Sequence, residues 1–182
     1  MNIRSVVSVA ALSFALAACA GMHPLRVTDT SQPRALPESG PVNVHWSDPA
    51  QFTELRHSLN RNEAARGDWV VQLARYIRAR AERELPPGER LDVEILDIER
   101  AGEYEYAFGP AADVRVMRDR YPPAMRLHVR RVGADGTVLE DGERRIREFA
   151  YLNVSQPMSN SDPLRYEKRM IDRWVRRELA MR

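Results

Sequence analysis

The stretch GDWVVQLARYIRARAERELPPGERLDVEIL, residues 67–96, decides the fold class. Asp68, after Gly67, is a residue of the type that caps helix N-termini. Trp69, Leu73, Tyr76, Ile77 and Ala81 then recur on one helical face, with Arg75, Arg78, Glu82 and Arg83 elsewhere around the cylinder. Pro86-Pro87-Gly88 stops the helix, because proline has no amide hydrogen and its ring clashes with the preceding turn. The period then changes from 3.6 to 2: Leu91, Val93 and Ile95 alternate with Asp92 and Glu94, as a half-buried strand requires. A helix feeding at once into a strand places the chain among mixed folds.

Further strands and a second helix lie on either side. Val42, Val44 and Trp46 alternate with Asn43 and His45, and Asp48-Pro49 ends that strand. A loop is expected from Ala101 to Pro110, then a short strand from Val114 to Val116. Met125, Leu127 and Val129 alternate with Arg126, His128 and Arg130. Asp135-Gly136 signals a hairpin whose return runs from Val138 to Leu152, with a bulge expected at Gly142. Asp162-Pro163 supplies an N-cap followed by proline at the first helical position, and the last helix should bury Met170, Ile171, Trp174 and Val175. The expectation is a single α+β domain over residues 41–182. Its small mixed or antiparallel sheet of about four to five strands should carry two helices packed on one face. With 182 residues, 43% hydrophobic and 30% charged, the chain suits one globular domain. No internal repeat is visible.

The net charge is +2, from 28 basic and 26 acidic side chains, and every basic residue except Lys168 is Arg. A pI of about 8.9 does not imply nucleic acid, because such binders gather basic charge on one face. Here Arg78, Arg80, Glu82, Arg83 and Glu84 interleave, as on a solvated mixed-charge surface.

The N-terminal segment implies a compartment. Arg4 precedes fourteen uncharged residues, Ser5 to Ala18. As a helix they would span about 21 Å, short of the roughly 30 Å hydrocarbon core, which fits a cleavable signal peptide over residues 1–18 better than a membrane span. Leu16-Ala17-Ala18-Cys19 resembles the lipobox of bacterial lipoproteins. That resemblance implies lipidation of Cys19, cleavage before it, and anchoring at the periplasmic face of the envelope. Ala20, rather than an acid, follows the Cys, which implies the outer membrane. An ordinary signal peptide with a chance Cys is the competing reading. Cys19 is the only Cys, so no intramolecular disulfide is available. Residues 19–40 carry Pro24, Pro33 and Pro37 without apolar periodicity, and are expected to be a flexible tether averaging about 25 Å end to end.

Several blocks together resemble a bacterial family known as domain of unknown function 3016. They are Asp48-Pro49-Ala50-Gln51-Phe52-Thr53-Glu54; Leu91-Asp92-Val93 leading to Asp97-Ile98-Glu99-Arg100-Ala101-Gly102-Glu103; Val114-Arg115-Val116; Tyr121-Pro122-Pro123; Asp135-Gly136 with Gly142-Glu143; and Tyr166-Glu167-Lys168-Arg169-Met170. The resemblance covers Val42 to the last helix and brings no assigned activity.

Among residues that could carry chemistry, His23, His45, His57 and His128 lack metal-ligand spacing. His45 and His128 fall out of phase with the apolar sides of their strands, so they could share an exposed sheet face. There is no Gly-x-Ser-x-Gly elbow, phosphate loop or dinucleotide fingerprint. Asp97 stays in phase with Leu91, Val93 and Ile95, and regular alternation would bury its carboxylate. Leu96 and Ile98 are apolar in the opposite phase, so a bulge near Ile95 would instead turn Asp97 outward. On the last helix Glu167 and Lys168 point about 100° apart. Glu167 is expected as an ordinary neighbour of Ile171, and Lys168 as an i,i+4 ion pair with Asp172.

The sequence therefore assigns lipidation to Cys19 and assigns no catalytic, cofactor-binding or metal-binding residue. The leading expectation is a non-enzymatic envelope lipoprotein whose domain binds another envelope protein and no nucleic acid. One alternative is an enzyme with carboxylates at Asp97, Glu99 and Glu103. Another is a small-ligand or metal binder using His45 and His128.

Overall fold

The structure, a computed structural model, describes residues 24–106, 113–153 and 161–179. A four-stranded sheet has the order β1 (Val42–Trp46), β2 (Arg90–Glu99), β5 (Ala124–Val132), β6 (Val138–Arg147). β1 and β2 are parallel, and the other neighbours are antiparallel. Parallel neighbours need a crossover, and α3 (Trp69–Glu84) supplies it between β1 and β2. α4 (Arg165–Leu179) packs against α3 and β6, while α3 also packs on β1. Two helices thus cover one face of a mixed sheet, the α+β arrangement expected. Two short strands, β3 (Glu103–Tyr104) and β4 (Arg115–Val116), pair separately.

Alternation explains which face is covered. Val42, Val44, Trp46, Leu91, Val93, Ile95, Leu127 and Val129 are buried. They meet Leu73, Ile77, Ile171 and Trp174 of the helices in one core. The other face carries Asn43, His45, Asp92, Glu94, Arg126, His128 and Arg130, all less buried. The last helix begins at Arg165 and not at Pro163 as expected, and Asp162 instead caps the turn that leads into it, its Oδ1 accepting the Leu164 amide at 2.8 Å. Asp68 stands at the N-cap of α3 but takes Gln72 Nε2 at 2.6 Å instead of a backbone amide.

β2 contains the bulge. Ile95 faces Leu127 and Asp97 faces Arg126, so Leu96 is the extra residue and the phase inverts after it. Ile98 turns into the core while Asp97 turns away. Ser47 holds the bulge, its hydroxyl donating to the Leu96 carbonyl at 3.0 Å. In the hairpin the bulge is not at Gly142, which pairs regularly with Val129. It falls at Leu139, skipped between the Arg131–Glu140 and Val132–Val138 pairs, where the strand leaves the Asp135-Gly136 turn.

The tether needs correction. Residues 25–37 form a strap across the domain instead of a free coil. The Leu36 amide donates to the Val44 carbonyl at 3.0 Å and the Trp46 amide to the Arg34 carbonyl at 2.9 Å, so the strap pairs with the outer edge of β1. The Val27 amide donates to the Ala65 carbonyl at 3.0 Å, and Leu36 is only 7% exposed. The prolines tolerate this because a strap on a sheet edge needs only some of its amides. Two short helices missed by the sequence reading, α1 (Thr53–His57) and α2 (Arg61–Ala64), lie between β1 and α3. They are too short to show a period. Among the described residues no helix is long and apolar enough to cross a membrane.

Candidate functional site

The end of β2 and the start of α1 are clamped by two carboxylates acting in opposite directions. Phe52, at the N-cap of α1, has no side-chain acceptor for the free amides there. Asp97 supplies one from the neighbouring strand: Oδ1 accepts the Thr53 amide at 2.6 Å and Oδ2 the Thr53 hydroxyl at 2.7 Å. In return Glu54, on α1, accepts the Arg100 amide at 3.0 Å.

Beside this clamp is a cleft of about 580 Å³ whose polar lining is Thr53, Asp97, Glu99, Arg126, Arg145 and Arg147. Glu99 pairs with Arg147 at 2.9 Å. Burial nevertheless pushes the Glu99 carboxyl above its usual range. Arg147 opposes that, and the nearby Asp97, Glu54 and Glu103 carboxylates add to it. Of the three carboxylates suggested as an enzyme site, Asp97 and Glu99 share the cleft. Glu103 is not in its lining and accepts the Ser58 hydroxyl at 3.1 Å and the Tyr104 amide at 2.7 Å. With both Asp97 oxygens engaged by Thr53, the arrangement is better suited to holding a charged group than to proton transfer by Asp97.

Behind Glu99 lies a buried charge cluster. Glu54 pairs with Arg115, which also donates to the Gly102 carbonyl at 2.6 Å and stacks 4.8 Å from the Tyr104 ring. The Arg100 guanidinium lies 5.3 Å from the Trp69 ring, and burial pulls its pKa down. Glu167 is 1% exposed, and its Oε1 accepts the Ala101 amide at 2.8 Å. Burial raises its pKa against the pull of Arg100 and the Ala101 amide. All these groups converge on the turn at residues 100–102. Gly102 has φ +75° there, and a Cβ would come within 2.8 Å of the Val116 carbonyl oxygen. The sequence reading left Glu167 as an ordinary helix neighbour. The missed signal is spacing: Glu167, Met170, Ile171 and Trp174 fall on one helical stripe.

The other residues singled out are dispersed. His45 and His128 do share the open sheet face, each opposite Glu94, which puts them two strand spacings apart, about 9.5 Å. His128 pairs with Asp141 at 3.0 Å, and His45 lies 3.7 Å from Asp92. Among the described residues no group of three or more His, Cys, Asp or Glu could hold a metal ion. Lys168 does not pair with Asp172. It reaches back to Asp162 at 2.6 Å, while Asp172 takes Arg80 at 2.7 Å and the Tyr76 hydroxyl at 2.9 Å. Burial and that bond push the Tyr76 hydroxyl up to about 12. Tyr166 meets Tyr151 edge to face at 4.9 Å. Cys19 and His23 lie outside the described residues.

Residues 40–177 match a family described as protein of unknown function (DUF3016). No curated protein and no solved structure matches the chain.

Proposed function

Taking as premise that the chain belongs to the DUF3016 family, we propose that it is a lipid-anchored protein of the bacterial envelope whose α+β domain works by binding a neighbouring envelope protein. The anchor is the lipobox-like Leu16-Ala17-Ala18-Cys19, and Ala20 directs it to the outer membrane. The observation that supports a membrane-side binding role is the strap. With Leu25 already bonded to Gly67 at 2.7 Å, five residues, 20–24, separate the domain from Cys19, so six Cα–Cα steps join the two. They reach at most about 20 Å. A domain held that close is concentrated toward partners on one surface. The carboxylates of the Asp97 cleft, meanwhile, are engaged by Thr53 and Arg147.

Photocrosslinkers at the exposed positions Arg173, Arg176 and Arg177 of α4, and at Asp135 of the hairpin, test this in cells. They should trap a specific envelope protein from wild type and from Asp97→Asn alike. Cys19→Ser should lose the acyl mass and the adduct together. Mature wild type without an acyl mass would remove the anchor. A second reading, an enzyme at the arginine-lined cleft, draws on the raised pKa of Glu99. It gains if no adduct forms while a folded Asp97→Asn protein loses its cellular function.

A further inference from the structure

A second concavity, of about 570 Å³, opens where the strap meets α1 and α2. Arg26 and Thr28 of the strap, Arg56 and His57 of α1, and Arg61 of α2 line it. No Asp or Glu contributes to its lining among the described residues. That departs from the interleaved charge of the rest of the surface, where Arg130 faces Asp141 at 3.1 Å and Arg34 faces Asp48 at 3.1 Å. The hydrogen-bond partners of Arg26 and Arg61 here are neutral. Arg26 donates to Asn62 Oδ1 at 3.0 Å, and Arg61 donates to the Arg56 carbonyl at 3.0 Å. Glu63, the acid of α2, is held by Arg66 at 2.7 Å.

Three guanidiniums in one concavity repel each other unless an anion sits among them, and a cleft of one sign focuses its field on such an anion. Guanidinium forks match the oxygens of phosphate in paired hydrogen bonds, and the Thr28 hydroxyl adds a neutral donor. We propose that this cleft binds a phosphate-bearing anion, either free phosphate or the phosphodiester of an anionic lipid headgroup. Two apolar side chains adjoin it in sequence, Leu25 at 61% and Leu59 at 50% exposure. They suit the lipid source, because they could enter the layer beneath a headgroup. The site stands on its own lining and does not depend on the anchor.

The test uses the full chain carrying Cys19→Ser in a neutral maltoside detergent, so that acylation plays no part. Inorganic phosphate and short-chain phosphatidylglycerol are titrated while the ring protons of His57 are followed by NMR. His45 and His128 serve as internal references for the fold. The expected result is a saturable shift of His57 alone. Arg56→Gln and Arg61→Gln should each weaken it about tenfold, the loss of one charge-assisted hydrogen bond. Arg75→Gln, on α3 outside the cleft, should leave it unchanged. Saturation by phosphate identifies a free-phosphate site, and saturation by phosphatidylglycerol alone identifies a headgroup site. No saturable shift with either probe, or an equal shift in the double Arg56→Gln, Arg61→Gln protein, overturns the proposal.

Discussion

Glu167 and Asp97 are both carboxylates that accept backbone amides, yet their surroundings ask different things of them. Glu167 is buried enough for desolvation to outweigh Arg100 and Arg115, so its pKa is raised. The folded state then takes up this proton at a higher pH than the unfolded chain does. Stability linked to the group is therefore present below the ordinary glutamate range and is lost as pH rises through the raised value. Glu167→Gln keeps an acceptor for the Ala101 amide and removes the titration. Urea unfolding at pH 7 and pH 5 should show wild type gaining on the variant as pH falls, and a gain in the opposite direction would refute the assignment. Asp97 acts instead as a cap supplied from another strand. Asp97→Ala and Thr53→Ala should each cost about 1–2 kcal/mol. The double variant should fall short of their sum by about 1 kcal/mol. Thr53→Ala keeps the backbone amide, so strict additivity would mean that the bond from the Thr53 hydroxyl at 2.7 Å contributes nothing.

The strap is the element whose role differs most from its composition. Its prolines and small polar residues have no apolar period, but Leu36 inserts into the core cluster and Val27 packs against it. The strap also covers the outer edge of β1, which would otherwise present unpaired amides and carbonyls. Leu36→Ala should therefore cost about 2–4 kcal/mol, the usual range for a buried leucine. Trypsin should then cut faster at Arg26 and Arg34. Unchanged stability and cutting would mean that the strap is not held by its leucine. β6, at the other edge of the sheet, has no strap among the described residues. Glu140, Asp141, Glu143, Arg144, Arg145 and Arg147 crowd along it, and charge of this kind discourages edge-to-edge pairing.

Across the whole molecule, the helices enclose one face of the sheet and leave the other charged, with clefts at the Asp97 clamp and under the strap. The sequence by itself determined the elements whose cause is local. The α3 stripe and its Pro86-Pro87-Gly88 stop, the alternation of β1, β2 and β5, and the Asp135-Gly136 turn were all legible, because side-chain period and backbone stereochemistry act within a few residues. The two-helix, one-face architecture followed from them. Even the β2 bulge left a trace, since Leu96 and Ile98 are apolar in the phase opposite to Ile95. Only the tertiary structure decided what depends on residues far apart in the chain. Lys168 found Asp162 and Asp172 found Arg80, against the i,i+4 expectation, because packing brought those charges closer than helical spacing did. Glu54, Arg100, Arg115 and Glu167 come from four separate segments, so their shared burial has no linear signature. The strap, too, docks through backbone hydrogen bonds, which depend on an unpaired edge being within reach and hardly at all on which side chains the strap carries.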